Sequence, residues 1–251
     1  MAGGGLPGFI IIGAMKCGTT SLHEYLNAHP ALFMSKKKEL DFFVEEENYG
    51  KGLDWYRGWF PDDGTLCGES SPNYTKRHLF KGVPERIHAL LPDAKLIFVA
   101  RDPIERLLSH WAHAIAFGRR TANPQRTFGQ KREEHNFVRT SEYDDQLAPY
   151  LDLFSRDRIL VLTAEDLRHR RLETIRKTFG FLGVDDTFED PSFGDIHHAS
   201  AEKTIGKGEA APKVERPALG PKWNAWMLEH FAPHMKRFRE MTGLALEDWS
   251  V

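Results

Sequence analysis

The chain has 251 residues, 41% of them hydrophobic, and its Lys+Arg 34 nearly balance Asp+Glu 36, giving a formal net charge of -2. That composition excludes disordered, collagen-like and disulfide-scaffold proteins, and it supplies no global positive field for a nucleic-acid partner. A chain of this length buries a sizeable core, and a single domain over 1–251 is expected.

Residues 1–8, with Gly3-Gly4-Gly5, read as a flexible lead-in. Phe9-Ile10-Ile11-Ile12 is continuously apolar and β-branched, the pattern of a strand covered on both faces of a parallel sheet. At four residues it is too short to span a bilayer, and no basic segment precedes it as in an export signal. A glycine-bounded turn follows. Leu22, Tyr25 and Leu26 then set a helix over 19–27 that ends near Pro30. Residues 66–69 form a weaker strand candidate, followed by the turn chemistry of Ser70-Ser71-Pro72-Asn73. A short helix is expected over 84–91 and a second buried strand over 96–100. The next helix has a well-marked start, with Asp102 as N-cap, Pro103 at the first helical position and Glu105 completing a capping box, and it should reach Phe117.

Between 118 and 140 the periodicity dissolves into Arg119, Arg120, Arg126, Lys131 and Arg132, read as a mobile loop whose basic charge either meets an anionic acceptor or is solvated. Helical spacing returns at Leu147, Tyr150, Leu151 and Phe154. A third buried strand follows at 159–162, then an amphipathic helix over 165–182. Residues 190–217 are polar and longer than connectors usually are, which points to a functional mobile loop. An aromatic-rich helix over 223–241 closes the chain. The alternation predicts an α/β fold, a P-loop-like parallel sheet flanked by helices on both faces. Ligands bind such sheets at the carboxyl ends of the strands, which directs the search to 13–21, 69–73 and 101–109. The only cysteines, Cys17 and Cys67, read as plain thiols of a reducing compartment. With no long apolar stretch, a soluble cytoplasmic protein is expected.

Gly13-Ala14-Met15-Lys16-Cys17-Gly18-Thr19-Thr20 has the parts of a phosphate loop: glycines that let amides turn inward, a lysine, and hydroxyls opening a helix. It departs from an NTPase loop, because Thr19-Thr20 follow the second glycine where Lys-Ser/Thr is required, and the lysine has moved forward to Lys16. Strand 96–100 delivers Arg101 in place of a Walker B carboxylate. ATP or GTP hydrolysis is therefore not expected, and a displaced lysine suits one 5′-phosphate joined to a group of lower charge. Taken alone, the loop is equally readable as turn glycines beside a surface lysine. Arg101 and Ser109, a strand-end arginine and a serine two turns into the next helix, can grip one phosphate together. The plain alternative is that Arg101 pairs with Glu105.

These two elements resemble those of sulfotransferases that use 3′-phosphoadenosine 5′-phosphosulfate (PAPS). Phe9 through Leu22 looks like the family's 5′-phosphosulfate loop, and Val99-Ala100-Arg101-Asp102-Pro103-Ile104-Glu105-Arg106, continuing to Ser109, looks like its 3′-phosphate element. Lys38-Glu39-Leu40-Asp41-Phe42-Phe43, Gly52-Leu53-Asp54-Trp55-Tyr56 and Val83-Pro84-Glu85-Arg86 are similar to the heparan sulfate N- and 3-O-sulfotransferase branch. The resemblance implies that Lys16 contacts the 5′-phosphate and the bridging oxygen, with Cys17, Gly18, Thr19, Thr20 and Ser21 cradling the group. It implies that Arg101 and Ser109 hold the 3′-phosphate, and that Lys203, Lys207 and Gly208 close over it. Glu39 would be the base, and Asp41, Phe42 and Ser71 would meet the acceptor. Trp55, Tyr56 and Trp59 are read from the residues themselves as rings that stack on a sugar or aromatic acceptor, with core packing the alternative role for at least one of them.

Two positions depart from the family. Ser70 stands where those enzymes carry a second lysine, which Lys203 or Lys207 would have to supply, and Asp41 stands where the animal enzymes have His or Gln. The transferred group carries less charge than a γ-phosphate, so no metal is expected, and His197-His198 read as loop residues. The expected partner is a carbohydrate or small-molecule acceptor, with no nucleic acid and no membrane, and the members that are membrane-anchored contrast with this chain. A small-molecule kinase with a divergent loop, or a non-catalytic sensor of the product nucleotide motivated by Ser70, stay open at this point.

Overall fold

The computed structural model describes residues 4–129, 134–194 and 215–251. Its strands are β1 (Phe9–Gly13), β2 (Leu32–Met34), β3 (Leu66–Ser70), β4 (Lys95–Ala100) and β5 (Ile159–Thr163). Its helices are α1 (Thr19–Asn27), α2 (Leu53–Arg57), α3 (Val83–Leu90), α4 (Pro103–Ala116), α5 (Pro124–Phe128), α6 (Tyr143–Leu153), α7 (Ala164–His169), α8 (Arg171–Leu182) and α9 (Gly220–Thr242). The sequence reads as one domain; the chain divides into two compact units interleaved in sequence, 1–100 with 147–197 and 101–146 with 198–251.

The first unit holds the sheet. All strand pairs are parallel, in the order β2-β3-β1-β4-β5. The chain leaves central β1 for β2 and β3 on one side and then crosses to β4 and β5 on the other. This reversal puts the crevice that favours ligands at the carboxyl end of β1. Every residue of β1 and β5 is buried, as the continuous apolar runs require. Strand β2, not foreseen because three residues carry no period, pairs with β3 from Leu32↔Leu66 to Met34↔Gly68. Helix α1 packs on β2, β3 and α8. The expected helix over 165–182 is two, broken at Arg170, which leaves helical angles at φ -126, ψ 45.

In the second unit, α4 starts as the sequence indicated. The Asp102 carboxylate accepts from the Ile104 and Glu105 amides, both at 2.9 Å, and Pro103 opens the helix. Glu105 was expected to complete a capping box, whereas its carboxylate pairs with Arg101, at 3.3 Å, and with Arg216. Residues 118–140 were expected to be a mobile loop; their described part carries α5 and a buried aromatic cluster. Trp111 donates its ring N–H to the Thr121 carbonyl at 2.9 Å, and its ring meets Phe128 at 4.9 Å between centroids. Phe128, Phe137 and Val138 are buried. The basic residues masked this aromatic cluster, because its members are spaced too irregularly to show a period. Lys131 and Arg132 lie outside the described residues, as do 195–214 of the long polar stretch. Helix α9 buries Met227, Phe231, Met235 and Phe238 on one face. Among the described residues no helix is long and apolar enough to cross a membrane.

Arg106 is the polar centre of this unit. It is fully buried, donating Nε to the Ser141 hydroxyl and Nη2 to the Phe137 carbonyl, each at 2.5 Å. Nη1 lies 3.3 Å from Nδ1 of His110. Each buried acceptor left unmade costs about 1–3 kcal/mol. Arg106→Met is therefore expected to lower the unfolding free energy by about 3 kcal/mol or more, measured by urea denaturation with the circular dichroism of the folded state as reference.

Candidate active site

The loop after β1 is built by backbone. The Ala14 amide bonds to the Val99 carbonyl at 2.8 Å and the Cys17 amide to the Ala14 carbonyl at 3.2 Å, closing a tight turn. Thr75 donates its hydroxyl to the Ile12 carbonyl at 3.1 Å, which brings it so near that a Cβ on Gly13 would sit 2.0 Å from Thr75 Oγ1. Lys16 has φ 73 and Gly18 has φ 92, a pair of left-handed residues that swings the chain into α1. Among the described residues no side chain caps α1, and no acidic residue stands in its first turn. The Thr19 and Thr20 amides have no acceptor within the helix. The helix dipole adds positive potential there. A loop of this form, with no carboxylate from Gly13 to Ser21, is an anion cradle.

A second segment runs beside it. The Ser35 amide bonds to the Gly68 carbonyl and the Glu39 amide to the Ser70 carbonyl, both at 2.9 Å, and the Ser71 amide bonds to the Ile11 carbonyl at 3.1 Å. Glu39 therefore stands at the carboxyl end of β3, next to β1. Glu39 and Asp41 both have positive φ, 64 and 48. For a non-glycine residue that costs about 1–2 kcal/mol and occurs chiefly where function requires it. The Glu39 side chain is half exposed and its Oε1 meets Lys38 Nζ at 2.8 Å. Asp41 is more enclosed. Its Oδ2 accepts from Asn73 Nδ2 at 3.0 Å, Lys76 donates to Asn73 Oδ1 at 2.7 Å, and its Oδ1 is buried without a hydrogen-bond partner. Burial pushes the Asp41 carboxyl up to about 6, opposed by the Asn73 hydrogen bond and reinforced by the charge of Glu39.

Beneath both segments lies Glu69 of β3, fully buried. Its Oε1 accepts from the hydroxyls of Tyr56 at 2.7 Å and Tyr74 at 2.8 Å, and its Oε2 from Ser71 at 2.7 Å. The same Ser71 oxygen accepts the Asp41 amide at 3.0 Å. Burial outweighs the three donors and pushes the Glu69 carboxyl up to about 7.

The structure thus brings together Lys16, Cys17, Gly18, Thr19, Thr20 and Ser21 with Glu39 and Asp41. It corrects three expected acceptor contacts. Phe42, Tyr56 and Ser71 are buried, Phe42 stacking on Tyr56 at 4.2 Å and the other two holding Glu69, so they support the site from below. Trp55 keeps partial exposure, edge-on to Trp59 at 5.9 Å with Lys51 over its ring. In the second unit Arg101, immediately past β4, makes the Glu105 ion pair, and Ser109 is buried in α4. Lys203, Lys207, Gly208, His197 and His198 lie outside the described residues. Ser70 is fully buried. Sequence reasoning missed the supporting roles of Glu69, Asn73, Tyr74 and Lys76. An acid inside a buried strand was the available signal, since such a group demands partners, but nothing in the spacing identified them.

Comparison with known proteins gives the family and the fold. A family model, the sulfotransferase domain, matches residues 6–213. Human heparan sulfate glucosamine 3-O-sulfotransferase 5 is 31% identical over 190 residues, 71% of this chain and 54% of the relative. The chain therefore spans about half the length of that relative. A sulfotransferase structure from Alicyclobacillus acidocaldarius superposes with a TM-score of 0.80 at 24% identity, covering 98% of this chain and 100% of that one. Mouse sulfotransferase SULT7A1 complexed with PAP superposes at 0.54 with 14% identity, covering 93% and 85%. At these identities the two structures establish the fold.

The buried acid has a measurable signature. In the unfolded chain Glu69 loses its proton near 4.5, and in the folded protein near 7, so the folded state binds more protons between those values. The contribution of Glu69 to stability is fullest below about pH 4.5 and falls as pH rises toward 7, with a limiting slope of about 1.4 kcal/mol per pH unit. Glu69→Gln, which cannot ionise, is expected to flatten that contribution. Urea midpoints from pH 4.5 to 8 check it, and parallel curves for the two proteins contradict a buried proton at Glu69.

Proposed function

This chain belongs to the sulfotransferase family, and from that membership we propose that it moves a sulfuryl group from PAPS to a hydroxyl or amine of a carbohydrate or glycosylated natural product, with Glu39 as base. The observation that carries this reading is the meeting of a carboxylate-free anion cradle with an exposed carboxylate, Glu39, at the carboxyl ends of β1 and β3. PAPS would bring an activated S–O bond whose cleavage releases 3′-phosphoadenosine 5′-phosphate (PAP). The cradle fits its 5′ end: uncapped amides at the start of α1 and Lys16 on left-handed backbone.

In this reading Lys16 and the Thr19 and Thr20 amides face the 5′-phosphate, where negative charge develops as the S–O bond breaks. Glu39 takes the proton of the acceptor O–H or N–H, leaving Lys38 for it, while the acceptor lone pair bonds to sulfur and the S–O electron pair departs on the phosphate. Arg101 exchanges Glu105 for the 3′-phosphate, a charge-assisted and bidentate contact that ATP does not offer, and Ser109 joins it. Asp41 and Trp55 are assigned to the acceptor. The relative's name places its sulfate on a glucosamine of heparan sulfate. A sugar acceptor is proposed here on that likeness and on the partly exposed Trp55 and Trp59 rings, which offer a stacking face.

General-base assistance is worth about 10²- to 10⁴-fold. With labelled PAPS and a panel of sugar and phenol acceptors, Glu39→Gln is expected to lower kcat by that factor while PAP binding is unchanged. Arg101→Ala is expected to weaken PAP binding roughly tenfold to a hundredfold, the worth of a charged hydrogen bond, with kcat at saturating PAPS nearly retained. Full turnover in Glu39→Gln removes Glu39 from the mechanism, and unchanged PAP affinity in Arg101→Ala removes the 3′-phosphate assignment.

A further inference from the structure

The second unit also carries a cluster of histidines and carboxylates, none of which is used in the proposed chemistry. His230 and His234 are one helical turn apart on α9, so both rings lie on one face. That face meets Glu142, the residue before α6, whose side chain is fully buried. His230 Nε2 lies 2.9 Å from Glu142 Oε1, and His234 Nε2 lies 3.9 Å from the same oxygen. The other nitrogen of His234, Nδ1, lies 2.8 Å from Asp144 Oδ1.

We propose that Glu142, His230 and His234 form a binding site for one divalent transition-metal ion, zinc by its donor set. The three ligand atoms lie within 4.8 Å of one another. Two imidazoles and one carboxylate, with a fourth position for water, are a zinc ligand set. Metal–ligand bonds near 2.0–2.2 Å in a tetrahedron put neighbouring donors about 3.3 Å apart. His230 has to withdraw a few tenths of an ångström from Glu142 and His234 has to approach it by somewhat more, within reach of side-chain rotation. Both histidines retain some exposure, 29% and 13% of their side chains, which gives an ion and its water access.

The surroundings are those that support a metal ligand. His234 Nδ1 lies 2.8 Å from Asp144 Oδ1 and 3.0 Å from Arg237 Nη2; the tautomer that donates Nδ1–H to Asp144 turns the Nε2 lone pair toward Glu142, the carboxylate–histidine–metal arrangement in which the outer carboxylate orients the ring and raises its basicity. The His230 ring is held by stacking on Trp226, with centroids 4.9 Å apart and planes at 18°. Arg237 pairs with the far oxygen of Asp144 at 2.6 Å. Arg139 meets Glu142 Oε2 at 2.6 Å and Asp145 at 3.4 Å. These guanidiniums balance the carboxylate oxygens that the ion does not engage. Asp145 with Asp144 and His234 is a second such group and offers an exchange ligand. Bound there, the ion clips α9 to the start of α6 and ties the end of the chain to the rest of its unit, so its binding energy becomes folding energy.

The test uses the full chain without an affinity tag, stripped with chelator and dialysed against zinc chloride. Elemental analysis is expected to return one zinc per chain. Thermal unfolding is expected to shift upward by about 5 °C or more at a free zinc concentration a hundredfold above Kd. His230→Gln and His234→Gln, each shown by circular dichroism to be folded, are expected to lose zinc affinity at least tenfold. Asp144→Asn, which touches no ion directly, is expected to weaken it about 10- to 100-fold. His230 is the more exposed histidine, so its variant keeps the test open should His234→Gln unfold. Absence of bound zinc in the wild-type chain overturns the proposal, leaving these residues a hydrogen-bonded ion-pair network. Wild-type zinc affinity in the histidine variants overturns it equally, assigning the metal elsewhere.

Discussion

A carboxylate inside β3 organises the candidate site. Glu69 is fully enclosed, and an enclosed acid must either keep its proton or gather donors. It gathers Tyr56 from α2, and Ser71 and Tyr74 from the turn that directly follows β3, so a helix and a turn converge on one side chain. Ser71 then passes the constraint on by accepting the Asp41 amide, while Glu39 is tied by its own amide to the Ser70 carbonyl. The segment that carries the proposed base is thus fixed from beneath by a polar hub and beside by the edge of the sheet. A polar network of this kind specifies a single geometry only when its members are satisfied, and here both Glu69 oxygens are.

The backbone around that hub shows where the fold accepts strain. Lys16, Glu39 and Asp41 account for all but one of the non-glycine residues at positive φ among the described residues, the other being Leu246. The first three sit at the carboxyl ends of β1 and β3. Parallel register joins these ends, with Ile11 opposite Ser70, so two loops that are separate in sequence lie at the same end of neighbouring strands. The fold concentrates its unfavourable backbone angles where it holds an anion cradle next to a carboxylate, as expected when surrounding packing over-determines a functional geometry.

Legibility in the sequence followed the strength of local signals. The continuous apolar runs of β1, β4 and β5 and the Asp102-Pro103 start of α4 were unambiguous, and the glycine-bounded loop with Lys16 marked the cradle because its spacing constrains the backbone directly. Strand β2 was missed because three residues display no period. Phe128 and Phe137 were hidden among basic residues, since aromatic anchors of an irregular segment have no fixed spacing. Phe42 and Ser71 were expected at the acceptor but are buried, and Tyr56 takes the core role that had been the alternative to stacking. Alternation in a loop does not say which face is buried, and only the tertiary position of Glu69 decides it. The histidine pair on α9 was likewise silent, because its carboxylate partners lie 88 and 90 positions away.

The central claim is that the cradle after β1 is shaped for a 5′-phosphate of lower charge than a triphosphate tail. Calorimetric titration of PAP and of ATP, with and without Mg²⁺, into the wild-type chain and into Lys16→Ala tests it most directly. PAP is expected to bind without added metal, ATP to bind at least tenfold more weakly under either condition, and Lys16→Ala to lose most of the PAP affinity. Tighter binding of ATP with Mg²⁺ than of PAP, or undiminished PAP affinity in Lys16→Ala, contradicts it.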